Sequence, residues 1–339
     1  MQIAYISIRP DILEETLGYV AAFMPFVDEI IIVAPKRLST DFSAFKDRAA
    51  IITDEEILGD GFEKFSERDH QFKNYLLRNR MVAHPSIHDE FIMSDDDARP
   101  LKSISVEQFK ENGAYNSYYF YDLSQWRYGL GDFDVGQQNT YQALKFLDLP
   151  SLSFASHMPQ IINKGIFLEA AEKLENIAAR YPLCEWSTYF NYATYHYPDL
   201  FHDPRPFQTL CWPDCPACWP HYVRPDGYAF ENFSAHLYCS GQPFAGIGTS
   251  FQSQYADEMA VDKIMRWYRY ELNSQSPELV GKTRGFPAGA WRRLLMAILG
   301  PIRKLYRLIS WEDQARIIEM TGRLESLGRS IKSKDKQSS

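Results

Sequence analysis

The chain has no long apolar run. No stretch of its 339 residues reaches the roughly 18 consecutive apolar residues that a membrane-spanning helix needs, so we expect no transmembrane helix. The first eight residues, Met-Gln-Ile-Ala-Tyr-Ile-Ser-Ile, contain no basic segment of the kind that opens a secretory signal peptide. We therefore predict a cytoplasmic protein.

Cysteine is also scarce, with five residues in the whole chain. An odd number with three of them crowded together does not fit the disulfide framework of a small secreted protein. Cys211, Cys215, Cys218 and His221 have C-x₃-C-x₂-C-x₂-H spacing. This spacing permits a tetrahedral zinc site. Structural zinc sites more often use two separated pairs, so free thiols in an aromatic loop are the alternative.

An excess of positive charge is missing, and so are the usual glycine-rich nucleotide motifs. The net charge of −8 argues against nucleic acid as a partner. The absence of the Rossmann and P-loop signatures removes the commonest nucleotide sites. A hydrophobic content of 45% with 24% charged residues is ordinary for a globular protein with a sizeable core.

The most informative feature that is present lies at residues 90–100, Glu-Phe-Ile-Met-Ser-Asp-Asp-Asp-Ala-Arg-Pro. A short apolar strand leads directly into Asp95, Asp96 and Asp97. Adjacent carboxylates repel one another unless a cation or strong donors neutralise them. Hard oxygen donors of this kind suit Mg²⁺ or Mn²⁺ shared with a substrate diphosphate. The alternative is a solvated acidic turn that caps the following segment.

The hydrophobic pattern predicts an α/β protein. A strand over 2–8, a helix over 11–26 and a strand over 28–34 that is apolar from Ile30 onward form a β-α-β unit, and such apolar strands are typical of a parallel sheet covered on both faces. Further predicted elements are strands at 49–53, 90–94, 115–121 and 151–156, helices at 65–82, 165–180 and 255–272, a glycine-rich loop at 128–136, and an irregular aromatic region at 181–240.

A β-α-β start followed by an acidic triplet after a later strand resembles the GT-A fold of nucleotide-sugar glycosyltransferases. Asp95 and Asp97 match the outer positions of that fold's Asp-x-Asp motif. The resemblance implies a Rossmann-like, mostly parallel sheet flanked by helices, and Mn²⁺ or Mg²⁺ bridging a nucleotide diphosphate. It also implies that Arg9 lines the nucleotide pocket and that Asp96, as a catalytic and donor-binding residue, contacts the ribose or sugar.

Residues 72–101 and 156–162 also resemble blocks of Stealth-type sugar-1-phosphate transferases. Those proteins carry an apolar strand into an acidic pair and, later, a His-x-Pro segment, here His157-Met158-Pro159. Two other Stealth elements, an early Tyr-Thr-Trp-Val block and an Asn-Gly-Glu-Leu-Arg element, are absent. Glycosyl transfer on a GT-A scaffold is therefore the favoured interpretation, with sugar-1-phosphate transfer as the alternative.

Three further residues are candidates for the site. His157 follows a predicted strand, and with proline nearby we expect an extended backbone there; it would ligate the metal or contact phosphate, or be a structural histidine. Lys164 is a candidate for diphosphate binding. Glu185 lies beside Trp186, which would desolvate it, and is the candidate base for the acceptor hydroxyl, or else a surface residue at a helix start. Asp132 and Asp134 are rival sugar-binding residues.

We predict three segments. Residues 1–272 form the GT-A-like catalytic domain, with 181–240 as an acceptor-side insertion. Residues 273–329 form a basic amphipathic helical segment, and 330–339 are a disordered tail. The apolar and basic residues between 288 and 308 favour a helix lying on the inner face of a membrane. Packing of that helix on the catalytic domain is the alternative.

Taken together, these patterns predict a metal-dependent hexosyltransferase of surface polysaccharide synthesis. The expected partners are a UDP-sugar donor, a glycan or lipid-linked glycan acceptor and a peripheral membrane contact, without nucleic acid. Apart from the Stealth-like reaction, the alternative is a non-catalytic glycan- or membrane-binding protein.

Overall fold

The computed structural model describes residues 1–66, 70–125, 131–210, 227–251 and 256–275. Its α-helices are α1 (Pro10–Phe23), α2 (Asp54–Leu58), α3 (Phe62–Ser66), α4 (His70–Ala83), α5 (Asp132–Phe146), α6 (Lys164–Ala178), α7 (Glu185–His196) and α8 (Ala256–Gln275). Its strands are β1 (Gln2–Ile6), β2 (Glu29–Ala34), β3 (Ala50–Thr53), β4 (Glu90–Asp95), β5 (Ala98–Pro100), β6 (Lys110–Glu111), β7 (Ala114–Tyr115), β8 (Tyr118–Tyr119), β9 (Tyr121–Asp122), β10 (Leu152–Ser153), β11 (Gln160–Asn163), β12 (Arg205–Pro206), β13 (Thr209–Leu210) and β14 (Phe230–Asn232).

The centre of the fold is a five-stranded sheet with the order β11-β4-β1-β2-β3. The four strands β1 to β4 run parallel, and β11 is antiparallel to β4 at one edge. Consecutive residues in the middle of β1, β2 and β4 are buried, so both faces of the sheet are covered. The predicted α/β class with a mostly parallel sheet is therefore confirmed.

The strand order reverses at β1. The chain places β2 and β3 on one side of β1 and then returns to place β4 on the other side. Ile6, the last residue of β1, pairs with Asp95, the last residue of β4. The carboxyl ends of these two strands therefore form the switch point of the sheet, which is where open α/β sheets bind ligands.

Helix α1 follows β1 at this switch point. Pro10 occupies its first turn, where a missing N–H costs nothing. The buried residues Leu13, Leu17 and Val20 recur at helical spacing and pack on the sheet. The helix ends at Phe23, three residues before the predicted end.

Three predicted elements are wrong. The strand expected at 115–121 is broken into β7, β8 and β9, and the loop expected at 128–136 has become helical by Asp132, where α5 begins. The region 181–240 is not irregular throughout, because α7 spans twelve residues within it. Its buried residues Trp186, Tyr189, Phe190 and Ala193 have helical spacing, but aromatic residues have modest helix propensity and concealed the helix.

A smaller sheet, β13-β14-β5, carries the chain away from the acidic triplet. Strand β14 is antiparallel to β5, and Asn232 lies opposite Ala98. Helix α8 buries Ala260, Lys263 and Trp267.

Two predictions lie largely or wholly outside the described residues. These are the zinc candidates Cys211, Cys215, Cys218 and His221, and the C-terminal segments 273–329 and 330–339, of which only the start belongs to α8. Within the described ranges, no helix is both long and apolar enough to cross a membrane.

Candidate functional site

The acidic triplet lies between two strands of different sheets. Asp95 ends β4, Asp96 and Asp97 form the turn, and β5 begins at Ala98. The side chains of Asp95, Asp96 and Asp97 are 26%, 7% and 16% exposed. The outer two aspartates are therefore open to a ligand, whereas the middle one is buried.

Asp96 is held by residues from the end of β1. Ser7 Oγ donates a 2.6 Å hydrogen bond to Asp96 Oδ2, and Arg9 Nε donates to the same oxygen at 3.2 Å. Arg9 Nη2 donates to Asp96 Oδ1. Thr16 Oγ1 of α1 donates to the Asp96 carbonyl at 2.7 Å. Protein donors therefore reach both carboxylate oxygens and join Asp96 to Arg9, and the contact of Asp96 with a ribose or sugar stays a prediction.

Asp97 is contacted by Arg9 and by residues 232 and 233, which lie far from it in the sequence on either side. Arg9 Nη2 donates to its Oδ2 at 2.8 Å, and Asn232 Nδ2 donates to its Oδ1 at 2.7 Å. The backbone N–H of Phe233 donates to its carbonyl at 2.7 Å. Burial and the negative charge of Asp95 raise the pKa of Asp97, although Arg9 opposes the shift. Burial, the largest cause, therefore disfavours the charged form of this carboxylate, and added positive charge nearby would favour it.

Asp95 is linked to Glu185 through the buried Arg78. Arg78 Nη2 donates to Asp95 Oδ1 at 2.5 Å, and Arg78 Nε lies 2.8 Å from Glu185 Oε1 in an ion pair without hydrogen-bond geometry. The guanidinium carbon lies 5.0 Å from the centroid of the Trp186 ring. Burial raises the pKa of Glu185, and Arg78 opposes that rise. Glu185 begins α7 but is buried, so it is not a surface residue.

His157 lies beside Asp95, with its Nδ1 3.9 Å from Asp95 Oδ2. Its φ of 49° places the backbone in the left-handed region, not in the predicted extended region. The reason is that the restriction imposed by Pro159 falls on Met158, the residue directly before it. The imidazole is nevertheless close to the triplet, as a metal ligand or phosphate contact requires.

Lys164 lies at the opposite end of the strands from the triplet, beside the start of β4. It follows β11, which runs antiparallel to β4, and its Nζ donates to the carbonyls of His84 and Ile87, each at 2.9 Å. The structure therefore does not bring Lys164 to the triplet. Asp132 and Asp134 lie in the first turn of α5, where their charges favour the helix dipole.

The chemical types of the donors at the site suit a divalent cation, whereas the present arrangement of these described residues does not yet group them around one. Asp95, Asp97 and His157 offer carboxylate oxygens and an imidazole, a set that Mn²⁺ and Mg²⁺ accept or partly accept. Four carboxylates, those of the triplet and Glu185, are joined by ion pairs to two guanidinium groups, which leaves an excess of two negative charges. In the described parts of the chain, no three His, Cys, Asp or Glu side chains are grouped closely enough to hold a metal. To bind a cation, the Asp97 carboxylate would therefore have to give up its hydrogen bond from Arg9.

Three site residues were not found from the sequence. Ser7 follows β1, and its place at the end of a strand was the signal available. Arg78 lies near the end of a predicted helix, where a basic residue ordinarily favours the helix dipole, whereas in the structure it is buried and joins two carboxylates. Asn232 gave no local signal, because its contact with Asp97 spans 135 positions.

The chain matches no protein-family model, and no curated protein is significantly similar to it in sequence. The resemblance to Stealth-type proteins is accordingly not confirmed. Among solved structures, the galactosyltransferase LgtC in complex with donor and acceptor sugar analogues is 12% identical, with 77% of this chain and 95% of that chain covered and a TM-score of 0.39.

Two other solved structures show likenesses of the same size. Mouse xyloside xylosyltransferase 1 is 12% identical, with coverages of 69% and 97% and a TM-score of 0.36. The glycosyltransferase GlyE of Streptococcus pneumoniae is 9% identical, with coverages of 81% and 64% and a TM-score of 0.37. TM-scores this low do not establish a shared fold, so the proposal below rests on the site itself.

Proposed function

We propose that the chain is a metal-dependent glycosyltransferase, a hexosyltransferase on a GT-A-like scaffold. It transfers a sugar from a nucleotide-diphosphate donor, a UDP-sugar, to a glycan or lipid-linked glycan acceptor in surface polysaccharide synthesis. One observation carries the proposal. An acidic triplet lies at the switch point of a parallel sheet, where such sheets bind ligands, and together with Glu185 it carries two negative charges in excess of Arg9 and Arg78.

In this proposal Asp95, Asp97 and His157 hold Mn²⁺ or Mg²⁺. When bound, the cation stabilises the negative charge that develops on the leaving diphosphate. Arg9 is half exposed, and a cation held by Asp97 would leave its guanidinium able to donate to a diphosphate oxygen. Asp96 keeps its hydrogen bonds to Ser7 and Arg9 and so fixes the position of that guanidinium.

Glu185 is the proposed base for the acceptor hydroxyl. Its raised pKa makes it a better proton acceptor than an exposed glutamate. Arg78 holds it in place and sets its separation from Asp95, so the base and the metal ligands belong to one connected group. Arg78 Nη1 is buried and has no hydrogen-bond partner among the described residues, which leaves a donor for a substrate hydroxyl or phosphate oxygen.

The test is chromatography of the nucleotide released from UDP-, GDP- and CMP-sugars, first with Mn²⁺ and then with EDTA. Metal-dependent release of a nucleoside diphosphate from a UDP- or GDP-sugar supports glycosyl transfer and identifies the donor. Release of a nucleoside monophosphate from the same donors supports sugar-1-phosphate transfer instead. A CMP-sugar yields CMP by glycosyl transfer itself, so that donor does not separate the two reactions.

A non-catalytic protein gives a third result. If no donor is cleaved even when glycan and lipid-linked acceptors are added, the glycosyltransferase proposal fails. Binding of glycans or vesicles without nucleotide release would then support a binding module.

A further inference from the structure

The strand that contacts Asp97 is itself held by a buried ion pair. Glu231, next to Asn232 in β14, accepts a 2.8 Å hydrogen bond from Lys263 Nζ of α8. The two side chains are 0% and 1% exposed. Glu231 Oε1 also accepts a hydrogen bond from the Tyr238 hydroxyl. A fully buried charge pair of this kind holds its two elements in one arrangement, because either charge alone would be costly to bury.

The same strand is held from the side of the triplet. The guanidinium carbon of Arg99, a β5 residue opposite Glu231, lies 3.8 Å from the centroid of the Phe233 ring. The Phe233 N–H donates to the Asp97 carbonyl, and the Asn232 amide donates to the Asp97 carboxylate. The end of β14 therefore fixes both the backbone and the side chain of Asp97.

These contacts form one continuous path from α8 to the carboxylate. We propose that Asn232 and Lys263 are positioning residues for Asp97. Lys263, through Glu231, holds β14 against β5, and Asn232 then fixes the orientation of the Asp97 carboxylate through Oδ1. The proposal rests on the proposed function only for its catalytic consequence; the arrangement itself is testable without any substrate.

The first experiment is a crystal structure of Asn232→Ala beside that of the wild-type protein. The Asp97 carboxylate is expected to leave its wild-type orientation, because Oδ1 loses its donor while Oδ2 keeps Arg9. Asn116→Ala is the matched control, since Asn116 is a buried asparagine that bonds the carbonyls of Glu107 and Gln108 and is not bonded to the triplet. An unchanged Asp97 orientation in Asn232→Ala overturns the proposal.

The second experiment measures hydrogen exchange of the Phe233 amide in the full-length chain. Lys263→Met should accelerate this exchange at least about tenfold, a change that corresponds to about 1.4 kcal/mol. Lys263→Arg, which keeps the charge, should stay near the wild-type rate. Asp262→Asn is the control, because it breaks an ion pair of the same helix that does not involve β14. If the Phe233 amide exchanges as slowly in Lys263→Met as in the wild type, Lys263 is not a positioning residue for Asp97. If Lys263→Met does not fold, Glu231→Asp, which shortens the arm but keeps the charge, takes its place under the same criterion.

Kinetics connect this arrangement with the reaction. With an active donor, Asn232→Ala should lower kcat at least about tenfold with little change in thermal stability, since Asp97 is displaced and not removed. An Asp97 that reorients without loss of kcat shows that its orientation is not needed for the reaction and overturns the catalytic part. An Asp97 that reorients in a protein without any transferase activity supports the arrangement and contradicts the proposed function instead.

Discussion

At the scale of single residues, three neighbouring aspartates have three different environments. Two like charges about 4 Å apart repel by about 4 kcal/mol at an effective dielectric constant of 20. The groups that neutralise each aspartate therefore determine what that aspartate can bind. Asp96 accepts hydrogen bonds from Ser7 and Arg9. Asp95 and Glu185 both form ion pairs with Arg78, and the pKa of Asp97 is raised. Because burial is the largest cause of the raised pKa of Asp97, a bound cation would offset the cost of its charge.

Replacing Asp97 with Asn tests this conclusion. Asp97→Asn keeps the size of the side chain but removes its charge, so Mn²⁺-dependent turnover of the donor should fall at least about 100-fold, the effect of losing one strong electrostatic contribution. Mn²⁺ binding, measured by electron paramagnetic resonance, should weaken in parallel. Asp199→Asn, at an exposed aspartate, is the control. Equal Mn²⁺ binding by Asp97→Asn and wild type would exclude Asp97 as a ligand.

Glu185 should make stability depend on pH with a definite sign. Its pKa is raised in the folded state, so the folded protein binds more protons than the unfolded chain between the two pKa values. Its contribution to stability is therefore complete below the unfolded value of about 4.3 and is lost as the pH rises through the folded pKa. Relative to the wild type, Glu185→Gln should become more stable as the pH increases through this window.

Urea unfolding in EDTA at several pH values measures that difference. Glu169→Gln is a control of opposite sign, because hydrogen bonds from the Tyr192 and Tyr197 hydroxyls lower the pKa of Glu169. Its contribution is present above the unfolded pKa and is lost as the pH falls through the folded one, so this variant should lose relative stability as the pH rises. A Glu185→Gln difference that does not vary with pH would contradict the raised pKa.

At the scale of elements, α1 contacts both the acidic triplet and the segment at Phe251. It begins directly after Arg9, and its Thr16 hydroxyl donates to the Asp96 carbonyl. Two residues later Gly18 leaves room for Phe251, whose ring centroid lies 4.7 Å from that of Tyr19. The Phe251 N–H also donates to Glu15. Helix α1 therefore holds both the triplet and the segment that leads into α8.

Gly18→Ala tests the fit of this segment on α1. A Cβ at this position would lie 3.0 Å from Phe251 Cδ1. The clash should cost roughly 1–3 kcal/mol, and the gain in helix propensity offsets about 1 kcal/mol of that. We expect a net loss of about 1 kcal/mol in the free energy of unfolding in urea.

Gly165→Ala is the control for helix propensity alone. Gly165 also lies in a helix, but a Cβ there would meet its nearest neighbour, Asn163 Oδ1, at an ordinary 3.5 Å. Its stability should stay equal to or above that of the wild type. A Gly18→Ala protein stabilised like Gly165→Ala would show that Phe251 moves aside without cost.

At the scale of the whole molecule, the site is assembled from distant parts of the chain. Ser7 and Arg9, Arg78, the triplet, Glu185 and Asn232 come from six separate elements or turns. The membrane contact proposed for the segment after Pro287 involves none of these residues. Binding to a membrane and chemistry at the triplet should therefore be separable.

Charge reversal in the full-length chain tests this separation. Arg292→Glu combined with Arg293→Glu and Arg303→Glu should abolish sedimentation with vesicles rich in phosphatidylserine, because each basic residue near an anionic surface contributes about 1 kcal/mol. Cleavage of a soluble donor should be unchanged. Neutral phosphatidylcholine vesicles are the control. Equal sedimentation of the variant and the wild type would contradict the membrane proposal.

The sequence predicted what depends on local patterns. The strands around Ile3, Ile31 and Ile92 and the acidic turn follow from apolar runs and from a charge cluster at a strand end. The sequence did not predict contacts between residues that are far apart in the chain. The partners of Arg78 lie on β4 and α7, and Asn232 reaches Asp97 through a strand of three residues. Lys164 lies away from the triplet because β11, a strand not predicted from the sequence, carries the chain from beside Met93 back to the start of β4.

The bond between Asn232 and Asp97 also affects how the protein is made. The two residues are 135 positions apart, a length that a ribosome adds in roughly 7–27 s at about 5–20 residues per second. During that interval β1 to β4 are already available to pair, while Asp97 has neither the Asn232 amide nor the strand that carries it. A nascent chain therefore displays an incomplete acidic turn, and the site closes only after the segment up to Lys263 has left the ribosome.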